Sequence, residues 1–115
     1  MATWYYNPHT GGNKIPPSTY DSIRKQVSAF ANTRSWSSDT SLVLRFKGQF
    51  CYIDELKHGE EQAFPLCRLR YFNNQEWSLA LFTYSNERYE SCIFSNGKQT
   101  GTLEQAIEVS EVFIM

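Results

Sequence analysis

Arg68 and Arg70 stand two residues apart in Pro65-Leu-Cys-Arg-Leu-Arg-Tyr71, a spacing that sends both side chains to one side of an extended strand. Arg45 and Lys47 repeat the spacing upstream, and Arg88 opens a later stretch that holds Tyr89. Guanidinium forks beside Tyr52, Tyr84 or Tyr89 on a sheet surface are the equipment needed to hold single-stranded nucleic acid or another anion. Asp54, Glu55 and Glu90 are available to the same cations, so cross-strand ion pairs on a solvated face are the plainer reading. The candidate binding set is Arg68, Arg70, Arg45 and Tyr89.

A second set carries carboxylates. Asp39 precedes the first strand-like run, and Glu55-Leu-Lys57 closes the second. A helix, then an acidic residue by one strand, then Glu-x-Lys on the next resembles the metal-dependent nucleases of the PD-(D/E)XK kind. The resemblance implies Mg²⁺ held by Asp39 and Glu55, with Lys57 positioning the attacking water. Glu-x-Lys is common, however, no Pro precedes Asp39, and nuclease cores pair strands in parallel. A solvated strand end explains the same residues.

The remaining chemistry is thinner. Gly97-Lys-Gln-Thr-Gly-Thr102 runs into a helix start, where backbone N–H groups favour an anion, but the Walker spacing is absent and an ordinary helix entry is expected. Cys51, Cys67 and Cys92 include no CxxC pair and alternate with apolar residues, as small buried hydrophobes do. With His9 or His58 they would make a metal site lacking any close ligand pair, so neither metal nor cofactor is expected. Both histidines sit in Gly-containing stretches, and no nucleophile has a candidate base.

These residues need elements to position them. Ser18, with Asp21 three residues on, has the form of a capping box, and Tyr20, Ile23, Val27, Phe30 and Ala31 then recur at steps of three and four. The spacing predicts an amphipathic helix over 18–32. Leu42–Phe46, Phe50–Asp54, Leu66–Tyr71, Trp77–Tyr84 and Arg88–Phe94 read as strands, separated by Lys47-Gly-Gln49, a charged turn, Asn73-Asn74 and Ser85-Asn86. Connections this short force antiparallel pairing of sequence neighbours, because a parallel crossover needs a dozen or more residues. Within the third strand, Leu66, Arg68 and Arg70 share one side while Cys67, Leu69 and Tyr71 share the other. Trp77–Tyr84 is apolar on both sides, which predicts a central strand covered twice: by the second helix, the aromatic N-terminal segment or another copy. Thr102 and Gln105 form a second capping box before a helix over 102–114, with Leu103, Ala106, Ile107, Ser110, Phe113 and Ile114 inward and Glu104, Glu108 and Glu111 outward on a solvated acidic face.

The expected fold class is therefore α+β, a five-stranded antiparallel meander over 42–94 flanked by an N-terminal and a C-terminal helix. The 115 residues fit a single domain, residues 1–115, in which the aromatic, Pro- and Gly-containing segment 1–17 packs Trp4 and Tyr5 onto the body. Eleven basic against twelve acidic residues leave no global field to draw the chain to nucleic acid or an anionic bilayer. No apolar run reaches the roughly 18 residues that a membrane span needs, and Met1–Pro8 lacks the pattern of a secretory signal, so a cytoplasmic setting is expected.

Pro65-Leu-Cys-Arg-Leu-Arg-Tyr71, Trp77, Tyr89-Glu90, Gly97 and Gly101-Thr-Leu-Glu-Gln-Ala106 also resemble a pattern found in a family of short uncharacterised bacterial proteins, a domain of unknown function. These share a PLCRLRY-like strand, a tryptophan strand, a YE pair and a GTxEEA-type helix start. Leu103 and Gln105 replace the proline and glutamate usual there. The resemblance covers 42–114 and implies one compact domain, with no activity to carry over. The function expected from all of this is a small non-catalytic binding or regulatory module with a protein partner, able to form a homodimer through the doubly apolar strand. Nucleic-acid binding through Arg68 and Arg70 is the first alternative and the metal-dependent nuclease the second.

Overall fold

The computed structural model describes residues 11–114. The expected packing of Trp4 and Tyr5 and the location of His9 fall on residues 1–10, outside the described residues, as does Met115. A helix α1 (Tyr20–Ala31) precedes five strands, β1 (Thr40–Lys47), β2 (Phe50–Lys57), β3 (Phe64–Asn73), β4 (Glu76–Thr83) and β5 (Arg88–Cys92), and α2 (Leu103–Ser110) follows. Strand order in the sheet equals sequence order, and every neighbouring pair is antiparallel. This is the α+β meander expected from the short connections. The tightest of them, Gly48-Gln49, joins Lys47 directly opposite Phe50; Gly48 takes a φ of +60°, the left-handed geometry that a two-residue hairpin demands at its first position.

Two details of the sheet differ from the sequence reading. The central strand is β3, not β4, so apolar residues on both sides of β4 do not mark the middle of the sheet. Ser78 and Ala80 of β4 are nonetheless buried, and they lie with Phe50, Arg68, Arg70 and Ser91 around a space of about 10 Å³. Arg68 and Arg70 of β3, Phe50 of β2 and Ser91 of β5 are the side chains around them among the described residues. The second difference is Leu66. A register shift between Ile53 and Asp54 displaces the pairing with β3 by one residue, and Leu66 joins the buried core instead of sharing a face with Arg68 and Arg70.

Both helices pack on the same sheet face. Ile23 and Val27 of α1, and Leu103, Ala106 and Ile107 of α2, meet Cys51, Ile53, Cys67, Leu69, Tyr71, Trp77 and Leu79 in one cluster that also takes in Ile15. Those sheet residues alternate along their strands, as a half-covered antiparallel sheet requires. Tyr20 stacks flat on Phe46 of β1, ring centroids 4.1 Å apart, and so fixes the first turn of α1.

The helix ends show one capping box where two were expected. Thr102 and Gln105 form theirs: the Thr102 hydroxyl accepts from the Gln105 N–H at 3.2 Å, and the Gln105 side chain accepts from the Thr102 N–H at 2.9 Å. Ser18 makes none, because the chain enters α1 through a 3₁₀ turn, Pro17–Thr19, with Pro17 in its first turn and the Thr19 hydroxyl donating to the Pro16 carbonyl. The other end of α2 also departs from expectation. After Ser110 the backbone tightens into a 3₁₀ turn, Glu111–Phe113, and the faster rotation per residue carries Phe113 out of the buried stripe to 56% exposure. Among the described residues no helix is long and apolar enough to cross a membrane.

Candidate functional site

The sheet face opposite the helices carries the arginines. Antiparallel register sets Arg45 beside Tyr52, Tyr52 beside Arg68, and Arg68 beside Ala80, while the next row runs Lys47, Phe50, Arg70, Ser78. Cations and rings therefore alternate across the strands, close enough for guanidinium groups to lie on aromatic faces. Arg68 sits 4.5 Å from the Phe50 centroid and 5.2 Å from that of Tyr89; Arg70 lies 4.6 Å from Phe50, and Arg45 4.8 Å from Tyr52. Tyr89 in turn meets Tyr52 and Phe82 edge-on at 5.5 and 5.1 Å. Contacts of these kinds contribute roughly 0.5 to 1.5 kcal/mol each and stiffen the face. All four expected binding residues belong to this one lattice. Phe50 is a member that sequence reasoning passed over; its place opposite Arg70 follows from the register between β2 and β3.

The three arginines are held differently. Arg45 forms a two-pronged pair with Asp54, at 2.7 and 3.1 Å, and that carboxylate raises its pKa further through a hydrogen bond. Arg88 and Glu90 approach to 3.5 Å at the sheet edge. For these two the ion-pair reading holds. Arg70 donates to the Gln49 side chain at 2.7 Å and the Gly11 carbonyl at 2.8 Å, both uncharged, and burial followed by the nearness of Arg68 lowers its pKa. Arg68, half-buried on the central strand, makes its two ring contacts and has no carboxylate partner among the described residues. Burial, with Asp54 next, pushes the Tyr89 hydroxyl upward, so it stays a neutral donor.

The nuclease-like residues lie elsewhere. Asp39 is exposed just before β1, accepting from the Thr40 hydroxyl at 3.1 Å. Glu55 lies within β2 opposite Leu42, which puts it about 10 Å further along the strand than Asp39 at the usual rise per residue. Lys57 follows Glu55 on the same face and draws its pKa down, but burial is the larger effect and raises it. The sheet is antiparallel throughout, without the parallel pairing of the nuclease core.

Among the described residues no three His, Cys, Asp or Glu side chains are grouped to hold a metal ion. Cys51 and Cys67 are buried under the helices and Cys92 is half-buried, all three as free thiols; His58 shares a hydrogen bond with Ser41 at 2.9 Å. The glycine run before α2 serves packing: Gly101 pairs with Trp77 through two backbone hydrogen bonds of 2.9 and 3.0 Å. The acidic outer face of the second helix is largely spoken for, since Glu104 accepts from Gln26 of α1 and Glu111 from Arg34 and Trp36. No family model matches the chain, and neither a curated protein nor a solved structure matches it.

Proposed function

We propose that the chain is a small non-catalytic binding module, acting in the cytoplasm, that receives an extended, carboxylate-bearing protein segment on the helix-free face of its sheet. The observation that carries this reading is Arg68, set on the central strand against the rings of Phe50 and Tyr89 and without a carboxylate among the described residues. A guanidinium placed against two rings has less freedom to lose when it pairs with a planar carboxylate, which lowers the ordering cost of binding. Tyr52 and Phe82, both packed on Tyr89, supply apolar area beside it. Nucleic acid fits less well, because the rings it would stack on already carry guanidinium groups and Arg45 is neutralised by Asp54.

The test is an array of extended decapeptides rich in Asp and Glu, with basic decapeptides as controls and labelled single-stranded RNA and DNA alongside, all with Mg²⁺ present. Acidic peptides should bind the native protein and lose at least tenfold in affinity on Arg68→Ala, with Arg68→Lys restoring little. Salt-dependent nucleic-acid binding lost on Arg68→Ala would replace this reading with the nucleic-acid one. Cleaved product lost on Glu55→Ala would replace it with the nuclease.

A further inference from the structure

Four of the large apolar side chains exposed on this protein, Phe64, Tyr84, Val112 and Phe113, surround a single hollow. It lies where the start of β3 and the end of β4 meet the turn after α2, away from Arg68 and Arg70, and Pro65, Leu66 and Phe82 complete its walls. Its volume is about 400 Å³, within the range that holds a small organic molecule. One lining residue is an acid, Glu55. Its Oε2 is shut off from water and has no hydrogen-bond partner, while the Tyr84 hydroxyl beside it is already used, donating to the Pro65 carbonyl at 2.8 Å. The Glu55 carboxyl is thus a poorly solvated charge at the wall of an apolar hollow, and a cation brought beside it would offset part of that cost.

We propose that this hollow is a binding site for a small organic amine: an apolar body against Phe64, Phe82 and Phe113, and a protonated nitrogen on the Glu55 carboxylate. Apolar walls exclude water and strengthen the single charge contact, and the rings add cation–π attraction for the same ammonium group. A neutral ligand of equal shape would bring the carboxylate no opposite charge, and an anion would be repelled by it. Burial, which raises the Glu55 pKa against the opposing effect of Lys57, reports the same shortage of solvation at that carboxyl.

Three probes of matched shape test the site: 2-phenylethylamine, 2-phenylethanol and 3-phenylpropionate, followed by chemical-shift titration of the full chain at pH 7. The amine should bind at least tenfold tighter than the alcohol, and the carboxylate should not bind. Glu55→Gln should bring the amine down to the level of the alcohol and leave the alcohol unchanged. Phe113→Ala, at an exposed position whose loss does not threaten folding, should weaken amine and alcohol alike. Equal affinity for amine and alcohol, an amine preference that survives Glu55→Gln, or no binding of any probe would each overturn the proposal.

Discussion

Trp36 donates its indole N–H to Glu111 Oε1 at 2.8 Å, across 75 residues of sequence. Arg34 grips the same carboxylate through Nε at 2.9 Å and through Nη2, so one acidic side chain after α2 ties down both the exit of α1 and the 3₁₀ turn Ser35–Ser38. The hydrogen bond from Arg34 is the main reason that the Glu111 carboxyl is held below its ordinary range.

Glu111→Gln should therefore destabilise the protein by about 1 to 2 kcal/mol at pH 7, a figure reduced for the partial exposure of the pair. A carboxylate whose folded pKa is depressed contributes stability above its unfolded pKa, near 4.3, and loses it as pH falls through the folded value. Urea midpoints of native and variant protein should differ fully at pH 7 and converge below about pH 4. A gap that stays constant down to pH 3 would contradict the assignment.

Arg68→Ala should separate binding from stability. Its two ring contacts are each worth roughly 0.5 to 1 kcal/mol on a half-exposed face, so the urea midpoint should move little while peptide affinity collapses. Phe50→Leu should act on both, since that ring supports Arg68 and Arg70 together.

Gly101 admits no side chain. A Cβ there would stand 2.7 Å from the Gln105 Oε1 and 2.8 Å from the Phe94 ring, which is buried and cannot retreat. Gly101→Ala should cost about 1 to 3 kcal/mol by overpacking, read as a lower urea midpoint with an unchanged slope. Gly59→Ala makes a useful contrast, since space there is open and only its φ of +90° resists the methyl group.

Thiol labelling should proceed in a fixed order. Burial pushes the Cys67 thiol up to about 12 and Cys51 higher still, and both sit beneath the helices. Cys92, near the open edge of the sheet, should react first with iodoacetamide at pH 8, with Cys51 and Cys67 modified only at the rate of unfolding. Mass spectrometry of partly labelled protein would show a single dominant adduct on Cys92; mixed adducts at early times would mean that the helices open readily.

The sheet was legible in the sequence because its turns are short and its alternation is clean: Cys67, Leu69 and Tyr71 had to share a face, and they do. Leu66 was misassigned because period-two counting cannot see a register shift, which depends on the partner strand. Glu111 looked like solvated surface because its partners, Arg34 and Trp36, precede the entire sheet. Arg45, Arg68, Arg70 and Tyr89 were legible as one face. That Phe50 stacks with two of these arginines was not, since stacking depends on side-chain geometry across strands. The hollow around Glu55 escaped for a similar reason: Phe113 was counted inward on helical periodicity, and the tightening after Ser110 turned it out.

Strand order that follows sequence order also bears on how the chain folds. Each of the four hairpins closes a short loop, so the sheet can zip from any turn without waiting for a distant partner. The grip of Arg34 on Glu111, 77 residues apart, by contrast joins two segments that lie on either side of the whole sheet in sequence. A contact of such long sequence separation is expected to form late, so loosening it should leave the folding rate nearly unchanged while the native state opens faster.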